Sequence, residues 1–246
     1  MNTNKYKNLN KILFWNVDTQ YDFMRNDEDY RGTLTVAGAK NIEGNLEKLT
    51  KIAEKDDIKV VNTGDWHTLE DAEIDAKTPD FKNTYPPHCM QNTKGAEYVP
   101  ATNPKNPYVI DWNKTTQIDA NKLAENRNIT LYKNNFDAFA GNQNTEKVLN
   151  MINPEAVFVY GVATNVCVNF AVEGLLKRNK EVYVVLDAIK ELPNEIAATP
   201  LEQVLDTWKN NGAKFITTNE VENLLNANTT KKYLAKDTHF GITQYN

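Results

Sequence analysis

The sequence predicts an α/β fold: a doubly wound, mainly parallel six-stranded sheet with helices on both faces. The first observation is that apolar runs of strand length alternate with segments whose apolar residues recur at helical spacing. This alternation is typical of parallel sheets built with right-handed crossovers. The second is the length of 246 residues, which is enough to bury the core of one such domain. We therefore expect a single domain over residues 1–246.

Each strand is predicted from one apolar run, and the six runs lie at residues 11–17, 58–63, 128–132, 156–160, 181–186 and 213–216. The spacing of Leu46, Leu49 and Ile52 predicts the first long helix, over residues 39–53. The same periodicity predicts further helices at 144–151, 165–178, 197–210 and from about residue 219.

Two segments depart from this pattern. Residues 68–126 are irregular and rich in Pro, Asn and Lys, which indicates an inserted subdomain or lid, with a local strand at 108–110 and a helix at 118–126. Residues 226–246 are polar and weakly patterned, and we expect them to form a C-terminal arm on the surface.

The composition indicates a cytoplasmic enzyme. The net charge of −5 gives no electrostatic footprint for nucleic acid or an anionic membrane. The chain has two cysteines, which suits a reducing compartment. It has neither an apolar N-terminal core of signal-peptide type nor an apolar stretch of the ~20 residues that a spanning helix requires. Whether it forms a homo-oligomer stays open.

Cys167 stands where the apolar run at 156–160 passes through a tight turn into a helical segment. A thiol in the first turn of a helix feels the positive end of the helix dipole, so its pKa falls and the nucleophilic thiolate becomes available. Free backbone N–H groups at that position could also hold an oxyanion. The alternative for a lone cysteine is packing under the sheet, which is its commonest role.

Asp18 and Lys133 directly follow two other predicted strands. The carboxyl ends of parallel strands meet at one edge of the sheet, so we expect Asp18, Lys133 and Cys167 to converge there. A carboxylate can take the thiol proton, and an ammonium can hold that carboxylate ionised. Taken singly, Asp18 is equally well explained as a turn residue and Lys133 as a solvated lysine.

A metal site is predicted from Asp65, His67 and His88. Asp65 and His67 follow the strand at 58–63, and side chains two residues apart in extended backbone point the same way. His88 follows two prolines, and the chain has only three histidines in all. One carboxylate and two imidazoles suit a Zn or Fe type ion. Hydrogen-bonded loop histidines are the alternative.

Five segments carry a resemblance to a known family: Val17–Phe23, Asp65–His67, Tyr85–Glu97, Lys133–Phe139 and Gly161–Val168. In this order they resemble the isochorismatase-like cysteine hydrolases, from about residue 11 to about residue 225 by the strand and helix pattern. The segments around Asp65 and His88 resemble the nicotinamidase and pyrazinamidase branch of that family.

The resemblance implies hydrolysis of nicotinamide, or of pyrazinamide, through a cysteine thioester. It implies Asp18, Lys133 and Cys167 as the catalytic triad. As ligands of a divalent metal ion it implies Asp65, His67 and His88, with Zn expected and Fe or Mn as alternatives. It also implies a cis peptide bond between Val162 and Ala163, with the N–H groups of Ala163 and Cys167 as the oxyanion hole.

Four aromatic residues are candidates for the walls of a pocket for a flat ring, with core packing as the alternative: Phe23, Trp66, Tyr85 and Phe136. Two other functions stay open. One is a metal-free member of the same superfamily acting on another small amide or carbamoyl substrate. The other is a non-catalytic nucleotide-binding module, which lacks support because no glycine-rich phosphate loop follows any predicted strand.

Overall fold

The computed structural model describes residues 11–81, 83–194 and 196–226. These residues form a sheet of seven strands, and every pair of neighbouring strands is parallel. The strands are β1 (Ile12–Val17), β2 (Lys59–Asp65), β3 (Tyr108–Ile110), β4 (Asn128–Lys133), β5 (Ala156–Val162), β6 (Glu181–Lys190) and β7 (Lys214–Ile216). The predicted fold class is confirmed.

The predicted number of six strands is wrong by one. Tyr108–Ile110, expected as a local strand, pairs with β4 and forms one edge of the main sheet. It was missed as a sheet strand because it has only three residues and the side chain of Val109 is exposed. A run so short carries little periodic signal.

Helices cover both faces of the sheet. The α-helices are α1 (Tyr21–Met24), α2 (Glu43–Lys55), α3 (Ala120–Glu125), α4 (Ala138–Gly141), α5 (Thr145–Ile152), α6 (Cys167–Lys177) and α7 (Leu201–Asn210), and residues 218–226 are helical as well. One core contains α2 and residues 218–226, packed against side chains of β1, β2 and β5. The other core contains α3, α5, α6 and α7.

The ends of some elements differ from the prediction. The last long helix begins at Leu201 rather than at residue 197, because Pro200 precedes it and a residue before proline avoids helical backbone. The segment 68–126 is mostly irregular up to residue 107 but contributes β3 and α3 to the main layers. Residues 227–246, nearly all of the predicted C-terminal arm, lie outside the described residues.

The strand order is β3-β4-β2-β1-β5-β6-β7. The chain therefore builds one half of the sheet on one side of β1 and then crosses over to add β5 on the other. Ligand sites of such sheets lie beyond the carboxyl ends of the strands where the order reverses. No helix in the described ranges is long and apolar enough to cross a membrane.

Candidate active site

Four neighbouring strands deliver the predicted polar residues to one edge of the sheet. Asp18 directly follows β1, and Cys167 is the first residue of α6, a short turn after β5. Asp65 and Lys133 are the last residues of β2 and β4 and are partners in the register of these strands. All four are buried. Parallel pairing thus brings together residues that are far apart in the sequence.

Lys133 lies at the centre of this group. Its Nζ is 2.9 Å from Asp18 Oδ2 and 3.8 Å from Cys167 Sγ, and it donates a hydrogen bond to Asp65 Oδ1. The hydroxyl of Thr63 donates a hydrogen bond of 2.7 Å to the other oxygen of Asp18. The structure thus brings the three residues of the predicted triad into contact and adds Asp65 as a second carboxylate beside the lysine.

The charges in this group depend on one another. Burial alone would lower the pKa of Lys133, but the carboxylates of Asp18 and Asp65 raise it well above its usual range. Burial raises the pKa of Asp18 in spite of Lys133. For Asp65, burial raises the pKa, but the Lys133 ammonium and the neighbouring rings of His67 and His88 outweigh it, and the pKa lies well below the usual value. Lys133 is therefore a permanent ammonium.

The expected fall in the pKa of Cys167 is not found. Burial raises the pKa of this thiol well above its usual value, and the Lys133 ammonium offsets only part of that effect. The position at the start of α6 is as expected, but removal of the thiol from water outweighs the helix dipole. Cys167 is thus a neutral thiol in this structure, and a base must take its proton before it can attack.

The turn between β5 and α6 has the predicted backbone. The Val162–Ala163 peptide bond is cis. Gly161 has a φ of 122°, and a Cβ at this position would lie 2.0 Å from the carbonyl oxygen of Val17. The carbonyl of Ala163 accepts hydrogen bonds from the N–H groups of Val166 and Val168, which ties Ala163 to the start of α6. The oxyanion hole at Ala163 and Cys167 stays a prediction.

The three predicted metal ligands meet in a buried cluster, and a fourth residue joins them. Ligand atoms of Asp65, His67, Glu73 and His88 all lie within 4.8 Å of one another. Nε2 of each histidine is 3.7 Å from Asp65 Oδ2, and Nε2 of His88 is also 3.7 Å from Glu73 Oε1. Ligands at 2.0–2.2 Å around one tetrahedral ion lie roughly 3.3–3.6 Å apart, so the spacing suits a metal.

The hydrogen bonds of this cluster also suit a cation. Nδ1 of His88 donates to the carbonyl of Pro86 over 2.8 Å, which leaves the lone pair of Nε2 facing the cluster. Nε2 of His67 and Oε1 of Glu73 are buried without a hydrogen-bond partner among the described residues. Burial and the nearby Asp65 carboxylate raise the pKa of Glu73 to about 8. A divalent ion bound by these residues would give the buried carboxylates and the Nε2 lone pairs a positively charged partner.

A cavity of about 380 Å³ opens onto both groups of residues. Its lining includes Cys167 and Ala163 from the turn after β5, and Asp65, Glu73 and His88 from the cluster. Three of the four predicted aromatic residues also line it: Phe23, Tyr85 and Phe136. The rings of Tyr85 and Phe136 meet edge to face with centroids 5.6 Å apart. The cavity therefore lies between the thiol and the cluster and has partly aromatic walls.

Trp66, the fourth predicted aromatic residue, is not part of the cavity lining. Its ring stacks on Tyr132 with centroids 4.2 Å apart. Side chains alternate in direction along extended backbone, so Trp66 points away from the side to which Asp65 and His67 point. Its assignment to the substrate pocket is not supported, and packing explains its position.

Comparison with known proteins assigns the chain to one family. A sequence profile of the isochorismatase domain family matches residues 13–220, most of the chain. The chain belongs to the isochorismatase domain family. The nicotinamidase/pyrazinamidase of Mycobacterium tuberculosis is 25% identical over 193 residues, covering 76% of this chain and 91% of the relative.

Solved structures of the isochorismatase fold are also similar. The pyrazinamidase of Pyrococcus horikoshii in complex with zinc has a TM-score of 0.62 at 25% identity, covering 84% of this chain and 99% of that one. The N-carbamoylsarcosine amidase of Thermoplasma acidophilum has a TM-score of 0.62 at 20% identity, covering 85% of this chain and 98% of that one. At 20% identity the second likeness concerns the fold alone.

The sequence did not reveal two buried residues of this site. Glu73 lies in the irregular segment after β2, where no periodicity or motif distinguished it. Gln20 is fully buried: its Nε2 donates to the carbonyl of Asp65 over 2.7 Å, and its Oε1 accepts from the N–H of Asp65 over 2.7 Å. Its position two residues after Asp18, inside a recognised segment, was the available signal.

Proposed function

We propose that this isochorismatase-like hydrolase is a nicotinamidase that converts nicotinamide to nicotinate and ammonia through a thioester on Cys167, and that pyrazinamide is also a substrate. One observation carries the proposal: a cavity with aromatic walls is lined both by Cys167 and by Asp65, Glu73 and His88 of the buried donor cluster. The names of the relative from Mycobacterium tuberculosis and of the zinc-containing structure support it.

The first half of the reaction uses Asp18 as the base. Asp18 takes the proton of the Cys167 thiol, and the thiolate attacks the carboxamide carbon. The N–H groups of Ala163 and Cys167 hold the oxygen that becomes negative. Asp18 then gives the proton to the departing nitrogen, so ammonia leaves as the thioester forms. Lys133, 2.9 Å from Asp18, stabilises the carboxylate before the thiol proton arrives.

The second half returns the enzyme to its starting state. Asp18, again a carboxylate, takes a proton from a water molecule that attacks the thioester carbon. The tetrahedral intermediate collapses and releases nicotinic acid, which loses its remaining proton to water and becomes nicotinate. The proton held by Asp18 returns to the Cys167 sulfur, so the thiol and the carboxylate are both restored and one water is consumed for each ammonia released.

Asp65, His67, Glu73 and His88 would hold the divalent ion. When bound, the ion supplies a Lewis acid that accepts the ring nitrogen and fixes the orientation of the substrate. The chain's own aromatic side chains then hold the ring from the sides: Phe23, Tyr85 and Phe136. With both ends fixed, the carboxamide lies at Cys167. Fixing the ring in this way speeds the reaction as well as binding the substrate, because a misplaced carbonyl does not react.

The test is ammonia release by the purified protein from nicotinamide and from benzamide, which has the carboxamide but no ring nitrogen. We expect nicotinamide to be the far better substrate and its hydrolysis to fall after chelation. Hydrolysis of nicotinamide that survives complete metal removal, or equal rates for the two amides, would instead favour the metal-free hydrolase of another small amide or carbamoyl compound.

A further inference from the structure

We propose that Asp71 is a positioning residue for the metal centre: it fixes the ring of His67 and joins the loops after β2 and β4. The inference rests on the proposed metal-dependent function. Asp71 is buried in the irregular segment after β2 and has no place in the reaction described above.

The orientation of the His67 ring follows from the contacts of one carboxylate oxygen of Asp71. Asp71 Oδ2 accepts a hydrogen bond of 2.7 Å from the N–H of Thr68 and lies 3.3 Å from Nδ1 of His67. A carboxylate only accepts, so Nδ1 carries the hydrogen and Nε2 keeps its lone pair. That Nε2 is buried, has no hydrogen-bond partner in the part of the chain that the structure describes, and is 3.7 Å from Asp65 Oδ2. Asp71 therefore selects the tautomer that can bind a metal.

The other oxygen carries the second part. Asp71 Oδ1 accepts a hydrogen bond of 3.3 Å from the side-chain amide of Asn134, which directly follows Lys133. One carboxylate thus connects the loop of a metal ligand with the loop of the catalytic lysine. His88 is held in another way, by the backbone carbonyl of Pro86. A side-chain substitution at Asp71 therefore disturbs the ring of His67 and leaves that of His88 held.

The experiment measures the dissociation constant of Zn²⁺ from metal-depleted, full-length protein by competition with a chromophoric chelator. We expect Asp71→Ala to weaken Zn²⁺ binding by about 10- to 100-fold, the usual effect of removing a partner of a metal-bound histidine. Asp71→Asn should weaken it less, because the amide oxygen still accepts a hydrogen bond. Asp75→Ala is the matched control, because Asp75 lies in the same segment and accepts hydrogen bonds from the N–H groups of Lys77 and Thr78. The dissociation constant of Zn²⁺ should not change in this variant.

Thermal unfolding of the metal-depleted variants separates positioning from general damage. Zn²⁺ affinity in Asp71→Ala equal to that of the wild type, or an equal loss in Asp75→Ala, would overturn the proposal. If Asp71→Ala does not fold, Asp71→Asn decides: weaker Zn²⁺ binding supports the role, and unchanged binding overturns it.

The outcome is distinct from that of the proposed function. Suppose that the wild type binds Zn²⁺ but releases no ammonia from nicotinamide, and that Asp71→Ala weakens Zn²⁺ binding. This result would support the role of Asp71 and overturn the nicotinamidase proposal. If the protein hydrolyses nicotinamide and Asp71→Ala leaves its Zn²⁺ affinity unchanged, the nicotinamidase proposal stands and the role of Asp71 is overturned.

Discussion

Replacing Lys133 by Met removes the ammonium that lies between Asp18 and Asp65. The side chain of Lys133 is 1% exposed and that of Asp18 is 0% exposed. Removing one partner of a buried ion pair costs about 3–5 kcal/mol, because the charge that remains has no compensation. At this chain length each kcal/mol lowers the melting temperature by about 2–4 °C. We therefore expect a melting temperature that is about 6–20 °C lower.

The same substitution should slow the reaction of the thiol. Burial raises the pKa of Cys167 and Lys133 opposes it, so without the ammonium the pKa rises further and alkylation moves to higher pH. Lys133 Nζ lies 3.8 Å from Cys167 Sγ. At that distance the attraction between the ammonium and the ionised thiolate is about 4 kcal/mol at an effective dielectric constant of ~20. If Asp18 or Asp65 takes up a proton once the ammonium is gone, part of this free energy is recovered. Since 1.4 kcal/mol is about tenfold, we expect alkylation at a fixed neutral pH to slow by at least about tenfold.

The assay is the rate of iodoacetamide alkylation against pH, in a Cys89→Ala background so that only Cys167 reacts. Lys59→Met is the matched control: this lysine, at the start of β2, donates hydrogen bonds to backbone carbonyls, including that of Leu123. The control should lose stability and keep its alkylation profile. A folded Lys133→Met protein with the profile of its parent would refute the charge argument and remove Lys133 from the triad.

Three further outcomes are expected. Cys167→Ala should abolish ammonia release while Cys89→Ala keeps most of it, since Cys89 does not line the cavity; equal loss in both would remove the nucleophile assignment. Replacing both His67 and His88 by Ala should strip the metal, measured by elemental analysis, and raise KM for nicotinamide far more than for benzamide; an equal penalty on both amides would count against ring positioning. Because burial raises the pKa of Glu73 from 4.5 to about 8, the folded state holds this proton more tightly, and metal-free protein should lose stability as pH rises through that interval. Glu73→Gln should flatten this slope in thermal unfolding, and an unchanged slope would contradict the assignment.

Local patterns predicted most of the fold. The strands β1, β2, β4 and β5 are runs of almost entirely buried residues, and their apolar residues identified them within one or two positions at each end. β3 was missed as a member of the sheet because three residues, one of them exposed, do not produce a period. Its place depends on pairing with β4, which is a contact between segments distant along the chain.

The sequence by itself determined which side chains stand at the ends of strands, and the recognised segments named Asp18, Lys133 and Cys167. Only the tertiary structure decided what these groups do to one another. Asp65 contacts Lys133 because β2 and β4 are in register, and Glu73 joins the cluster through irregular backbone. The helix dipole at Cys167 was visible in the sequence, but the burial that overrides it was not. Burial and the distances between charges arise from packing, and local sequence patterns do not carry them.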